Sequence, residues 1–329
     1  MISSSTTTTP MLNLRMRCVR TAPSQECDED GTPDDAGVVD KVKVMLSQAS
    51  VVYKCRDYLA RRMEESDEDE CPSLVPDDTI DAVCREKMCE WSYRVGDHFH
   101  TGREVVAISF SYLDRFLDGV NCDRTSFKLA AMTTLYMATK IHARHQIALS
   151  SLAELSRGEF EISQIEDMEA MILEALDWRL NPPTAQSFVD AFFDLVPVPS
   201  GSQVSNTIYQ RAIFFTELSL YDYSFVSTGE ALIAVAALLN SMEGMDELDT
   251  QEQQQPFLDA LEEQFGAKFS EELLEMVRNR LWYVYSMTAQ YKDDTLITAT
   301  PVVKKSPAKQ VVAVSDCHSP VTVAIESQR

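Results

Sequence analysis

Two stretches of helical length, residues 129–139 and 231–242, contain no charged side chain, and the pattern around them repeats at almost the same interval. A helix that is apolar on every side has to be buried on every side. Both runs are also too short for a membrane, which needs roughly 18 or more consecutive apolar residues. Each run is therefore expected to form the centre of a helical bundle. The flanks support a duplicated unit: Ala107, Ile108, Phe110 and Leu113 match Ala212, Ile213, Phe215 and Leu218 at an offset of 105. Met168, Met171, Ile172 and Leu176 match Leu273, Met276, Val277 and Leu281 at the same offset, and Leu129-Ala130-Ala131 matches Leu232-Ile233-Ala234 at 103. One match between apolar residues means little, but three helices in register point to one fold made twice.

Capping and breaking residues divide the chain accordingly. With only 10 glycines and much Ala, Leu and Met, the composition favours helices over sheets. Residues 1–39 are Ser/Thr/Pro-rich and then acidic, and read as a disordered tail. Residues 40–76 read as one helix to about Met63, with Val44, Ala49, Val52, Cys55 and Leu59 on its apolar stripe, followed by an acidic linker. Asp77 or Asp78 is expected to cap the first helix of a bundle over 77–181, with Met132, Met137, Met168 and Met171 in its core. Asn181-Pro182-Pro183 is a stiff break, and Thr184 caps the first helix of a second bundle over 182–291. Residues 292–329 turn basic and proline-punctuated and read as a disordered regulatory tail. The fold class expected is all-α: two tandem five-helix bundles, each with a central buried helix, plus an N-terminal helix and disordered tails.

Charge narrows the partners. Asp and Glu outnumber Lys and Arg by 52 to 29, a formal net charge of −23. Such a surface repels phosphate backbones and anionic lipid, so neither nucleic acid nor membrane is expected as a partner. The eight scattered cysteines form no CxxC pair and read as reduced thiols of an intracellular protein. No secretory signal, metal motif, glycine-rich phosphate loop or catalytic His-Arg-Asp loop is visible, so no catalytic residue, metal site or cofactor is expected. His142-Ala143-Arg144-His145 lacks the Glu of a zinc-protease helix.

Specific residues then carry a resemblance. Arg85 and Trp91 stand six apart on the first bundle's first helix, and Tyr-Leu-Asp-Arg-Phe-Leu occupies residues 112–117 of the second. The third ends in Ala138-Thr139-Lys140, and the fifth carries Met168-Glu169 and Ile172-Leu173 before closing on residues 176–184, Leu-Asp-Trp-Arg-Leu-Asn-Pro-Pro-Thr. In this order and at these spacings the chain resembles the cyclins, with the first box clear, D-type-like in its closing segment, and the second box in outline. The resemblance implies a non-enzymatic subunit that binds and activates a cyclin-dependent protein kinase as a heterodimer, in nucleus and cytoplasm. It implies an Arg85–Asp114 ion pair across the first two helices, and Lys140 and Glu169 as the kinase-binding residues. Met88 and Trp91 become a candidate docking patch for kinase substrates or inhibitors, although Lys87 puts a charge inside it. Ile141-His142-Ala143 departs from the aromatic and acidic residues that usually follow the lysine.

Two other classes share such a fold: a promoter-binding transcription factor and a scaffold that activates no kinase. The first needs a basic face, whereas residues 78–178 hold 10 basic against 17 acidic side chains. Thr300, Ser306 and Ser319, each before proline, are candidate phosphorylation sites, and Arg56-Asp57-Tyr58-Leu59 has the form of a degradation signal inside an expected helix.

Overall fold

The protein is described here by a computed structural model covering residues 35–66, 79–199, 201–243 and 250–288. Twelve α-helices and no strand occur among the described residues. The N-terminal region is two helices, α1 (Asp35–Val51) and α2 (Tyr58–Ser66), where the sequence suggested one from residue 40. The difference has a local cause: residues 52–57 leave the helix so that Tyr58 can turn into the core, where it is fully buried. The buried face of α1 accordingly carries Val42 and Ala49, while Val44 points outward.

The first bundle comprises α3 (Ala82–Phe99), α4 (Glu104–Gly119), α5 (Arg124–His142), α6 (Leu149–Leu155) and α7 (Ile162–Ala175). Asp81 caps α3, its side chain accepting from the Cys84 amide at 2.7 Å. Asp77 and Asp78, the expected caps, lie outside the described residues. Asp123 caps α5 in the same way through the Ser126 amide at 2.7 Å. The uncharged run of α5 is buried at almost every position and packs on α3, α4, α6 and α7, as its composition requires. Met132, Met137 and Met168 are core residues; Met171, expected beside them, is half exposed because it sits on the outer side of α7.

The second bundle repeats the arrangement: α8 (Ala185–Phe192, continued by a short 3₁₀ turn), α9 (Gln203–Tyr221), α10 (Glu230–Met242), α11 (Thr250–Phe265) and α12 (Glu271–Ser286). Thr184 caps α8 by a reciprocal pair of bonds with Ser187, 3.0 and 2.9 Å. α10 is buried from Ala231 to Met242 and packs on α8, α9 and α12. The matched positions hold: Phe110 and Leu113, Phe215 and Leu218, Ile172 and Leu176, Val277 and Leu281 are all in the core. The bundles meet mainly through α3 and α4 against α9.

Candidate functional site

Arg85 lies in the first turn of α3 and Asp114 near the middle of α4, and their side chains are almost fully buried. They meet as a two-pronged pair, Nη2 to Oδ2 at 2.7 Å and Nε to Oδ1 at 2.9 Å. Two further bonds were not visible in the sequence. Tyr58 donates its hydroxyl to Oδ1 of Asp114 at 3.0 Å, and Arg85 Nη1 donates to the Leu220 carbonyl near the end of α9 at 2.6 Å. The guanidinium also lies 4.9 Å from the centre of the Phe110 ring. A pair expected to lock two helices therefore ties together α2, α3, α4 and α9. Burial alone would lower the Arg85 pKa, but the Asp114 carboxylate outweighs it and the net shift is upward. Burial, helped by Asp114, pushes the Tyr58 hydroxyl well above its ordinary range, so it remains a donor.

The Arg56–Leu59 tetrapeptide is absorbed by the same framework. Arg56 pairs with Asp118 at 3.1 Å; Asp57 accepts from the Tyr223 hydroxyl at 2.8 Å, and the Leu59 amide donates to that hydroxyl at 2.9 Å.

Lys140 and Glu169 come together on the surface. Lys140 Nζ is 3.0 Å from Glu169 Oε1, with the lysine side chain 47% exposed and the glutamate 18%. That hydrogen bond raises the lysine pKa against a smaller opposing effect of burial. Neither fills the core, in contrast to the fully buried Leu135 and Ile172. The elements that carry the pair also expose large apolar side chains: Ile141 next to Lys140, Ile162 two turns before Glu169 on the same side of α7, and Trp178 just past the helix. The segment carrying Trp178 is held against the end of α5 by one carbonyl. Leu180 O accepts from the Tyr112 hydroxyl at 2.5 Å and lies 2.9 Å from His142 Nε2.

His142 thus has a positioning role that its sequence context did not reveal. Asp177 and Trp178 both take left-handed backbone, φ 49° and 57°, which costs a bulky residue on the order of 1–3 kcal/mol. A 70%-exposed tryptophan in that conformation is displayed by the structure around it rather than left over from packing. In the second bundle the corresponding helices, α10 and α12, are also bridged, but by Glu243 at the end of α10 and Arg278 on α12, with the charges exchanged.

The family models described as the cyclin N-terminal and C-terminal domains match residues 54–181 and 183–295. The chain belongs to the cyclin family. Among curated cyclins it is similar to human cyclin-O, 27% identical over 183 residues that cover 55% of this chain and 52% of that one. Mouse G1/S-specific cyclin-D1 is 24% identical over 164 residues (50% and 51%), and Xenopus laevis cyclin-A2 is 22% identical over 213 (64% and 50%). The chain thus spans about half the length of these relatives. A solved viral cyclin from herpesvirus saimiri superposes with a TM-score of 0.52 at 20% identity, covering 70% of this chain and 99% of that one, which shows the shared fold.

Within this cyclin, Met88 and Trp91 are half-buried on α3, packed against the core, with Lys87 exposed beside them. Thr300, Ser306 and Ser319 lie outside the described residues. Between the two cyclin boxes is a cleft of about 90 Å³ lined by Arg103, Glu104, Thr184, Glu217 and Glu230 among others. Arg103 crosses it, donating to Glu217 at 2.7 Å and Asp97 at 3.0 Å while lying 4.4 Å from the centre of the Tyr93 ring. Burial pushes Glu217 up, with Arg103 opposing, and pushes Glu230 up to about 7. Among the described residues no three His, Cys, Asp or Glu side chains cluster as metal ligands, and no helix is long and apolar enough to cross a membrane. The described cysteines, 55, 84, 89 and 122, are all free thiols.

Proposed function

We propose that this cyclin is a regulatory subunit that binds a cyclin-dependent serine/threonine kinase and activates it, docking through the surface around Lys140 and Glu169. The observation that carries the reading is an exposed ion pair on elements that also expose Ile141, Ile162 and Trp178. Interfaces of this kind combine aromatic and aliphatic anchors with a few oriented polar groups. Cyclin partners act by holding a mobile kinase helix inward so that the kinase completes its own Lys–Glu pair and metal site. On this surface Lys140 and Glu169 are to hydrogen-bond the kinase backbone beside that helix, while Trp178 and Ile141 bury against its apolar side. Net acidic charge over the first box argues against promoter DNA as the partner.

The test exchanges the two charges, Lys140→Glu with Glu169→Lys. Because the side chains pair with each other, the exchange preserves their mutual attraction, and thermal stability should stay within about 0.5 kcal/mol of the parent. Kinase binding should fall roughly thirtyfold to several thousandfold, the usual result of losing about 2–5 kcal/mol at a polar interface contact. Trp178→Ala should weaken binding independently. A folded double variant that still activates the kinase normally would refute this docking surface. A parent chain that binds a kinase without raising its activity would make the protein a scaffold.

A further inference from the structure

Twelve large apolar side chains are prominently exposed among the described residues, and three of them, Leu273, Met276 and Tyr283, lie on the outer side of one helix, α12. Met276 and Tyr283 are two turns apart and 60% and 51% exposed. Leu273 lies one turn before Met276, and the Arg280 guanidinium sits 5.0 Å from the Tyr283 ring centre, extending the strip. The opposite side of α12, with Leu274, Val277, Leu281 and Val284, is buried in the second box. At the duplication offset of 105, Met276 and Tyr283 align in sequence with Met171 and Trp178, which are also exposed, although Trp178 lies past the end of α7 and Tyr283 within α12. A scattered exposed leucine needs no explanation, but an aligned strip on one helix is the form that a docking site takes. Its first two turns are edged by exposed Glu271, Glu272 and Glu275, so its occupant should be apolar and basic.

The chain itself contains such a segment. Residues 300–314 read Thr-Pro-Val-Val-Lys-Lys-Ser-Pro-Ala-Lys-Gln-Val-Val-Ala-Val, with three lysines and no acidic residue in a protein of net charge −23. It begins 14 positions after Ser286, the end of α12. The connecting residues 289–299 span up to about 40 Å when extended. A helix of 16 residues is about 24 Å long. The segment therefore reaches every turn of the helix that precedes it. We infer that residues 300–314 fold back along α12, placing Val302, Val303, Val311 and Val312 against Met276 and Tyr283 and the lysines beside Glu271, Glu272 and Glu275. Ser306 then lies among carboxylates, so an added negative charge there opposes the contact. The clasp uses neither Lys140 nor Glu169 and stands independently of the proposed kinase-binding surface.

Radical footprinting of the full chain tests it by reading the reactivity of Met276 and Tyr283. Deleting residues 300–314 should raise both about fivefold or more, and Lys304→Glu with Lys305→Glu and Lys309→Glu should do the same with the tail present. Ser306→Glu should raise them in the same direction. A control melt confirms that the described body stays folded in each variant. Unchanged reactivity on deletion overturns the inference. So does protection that varies with protein concentration and persists without the tail, since that assigns the strip to a second copy of the chain.

Discussion

A charge is tolerated inside a helical bundle only where its partners are already in place, and Arg85 shows how many partners that takes. Asp114 alone would satisfy two of its N–H groups; the Leu220 carbonyl and the Phe110 ring take up other faces of the guanidinium. Removing either member strands the other, which typically costs about 3–5 kcal/mol. Arg85→Ala and Asp114→Ala should each destabilise the protein by that amount, while the double variant should fall well short of the sum. Tyr58→Phe should cost only about 1 kcal/mol, since the carboxylate keeps both bonds to Arg85. Denaturant titrations of the four variants check this, and additive losses would show that the pair does not act as a unit.

At the scale of elements, the central helices α5 and α10 owe their position to small residues as much as to apolar ones. Ala130, Ala131 and Ala138 in the first, and Ala234, Ala236 and Ala237 in the second, are fully buried and let the neighbouring helices approach closely. Ala130→Leu and Ala236→Leu should each destabilise by about 1–3 kcal/mol through overpacking, although leucine is an excellent helix former. Thermal melts should show it, and a neutral result would mean that room exists where none is seen. These helices were legible in the sequence because burial on all sides leaves an unmistakable record: no charge for eleven or twelve residues. The caps at Asp123 and Thr184 were legible for a similar reason, as side-chain oxygens bonding the nearest free amides.

The break between α1 and α2 was not legible. It is imposed by Tyr58 reaching Asp114, 56 residues away, and the local pattern of residues 40–63 is compatible with one helix. For the same reason Lys140 and Glu169 could be singled out by their motif, yet not their bond to each other. The structural roles of His142 and Trp178 were not legible, because what distinguishes them is a shared carbonyl and a left-handed backbone, neither of which has a residue signature.

For the whole molecule, the junction between the boxes is polar where each box is apolar. Arg103 bridges it to Glu217, Arg85 to Leu220, and Glu230 sits in the cleft with its pKa pushed up by burial from 4.5 to about 7. The protonated carboxyl therefore favours the folded protein. That advantage is complete below pH 4.5 and is lost as the pH rises through about 7. Glu230→Gln, which cannot ionise, should match the parent near pH 4 and exceed it increasingly up to about pH 7.5. The plateau should be on the order of 3 kcal/mol. Denaturant midpoints at stepped pH measure the difference, and a gap that does not change with pH would refute the titration.

The exchanged polarity of the second ion pair has a consequence for stoichiometry. A duplicated fold offers the same shape twice and would, with identical charges, invite two copies of one partner. Here the first box presents lysine at the end of its central helix and glutamate on the last helix, while the second presents glutamate and then arginine. A protein whose charges complement the first order meets like charge in the second. On the proposed docking surface, one chain is therefore expected to recruit one such partner, through its first box.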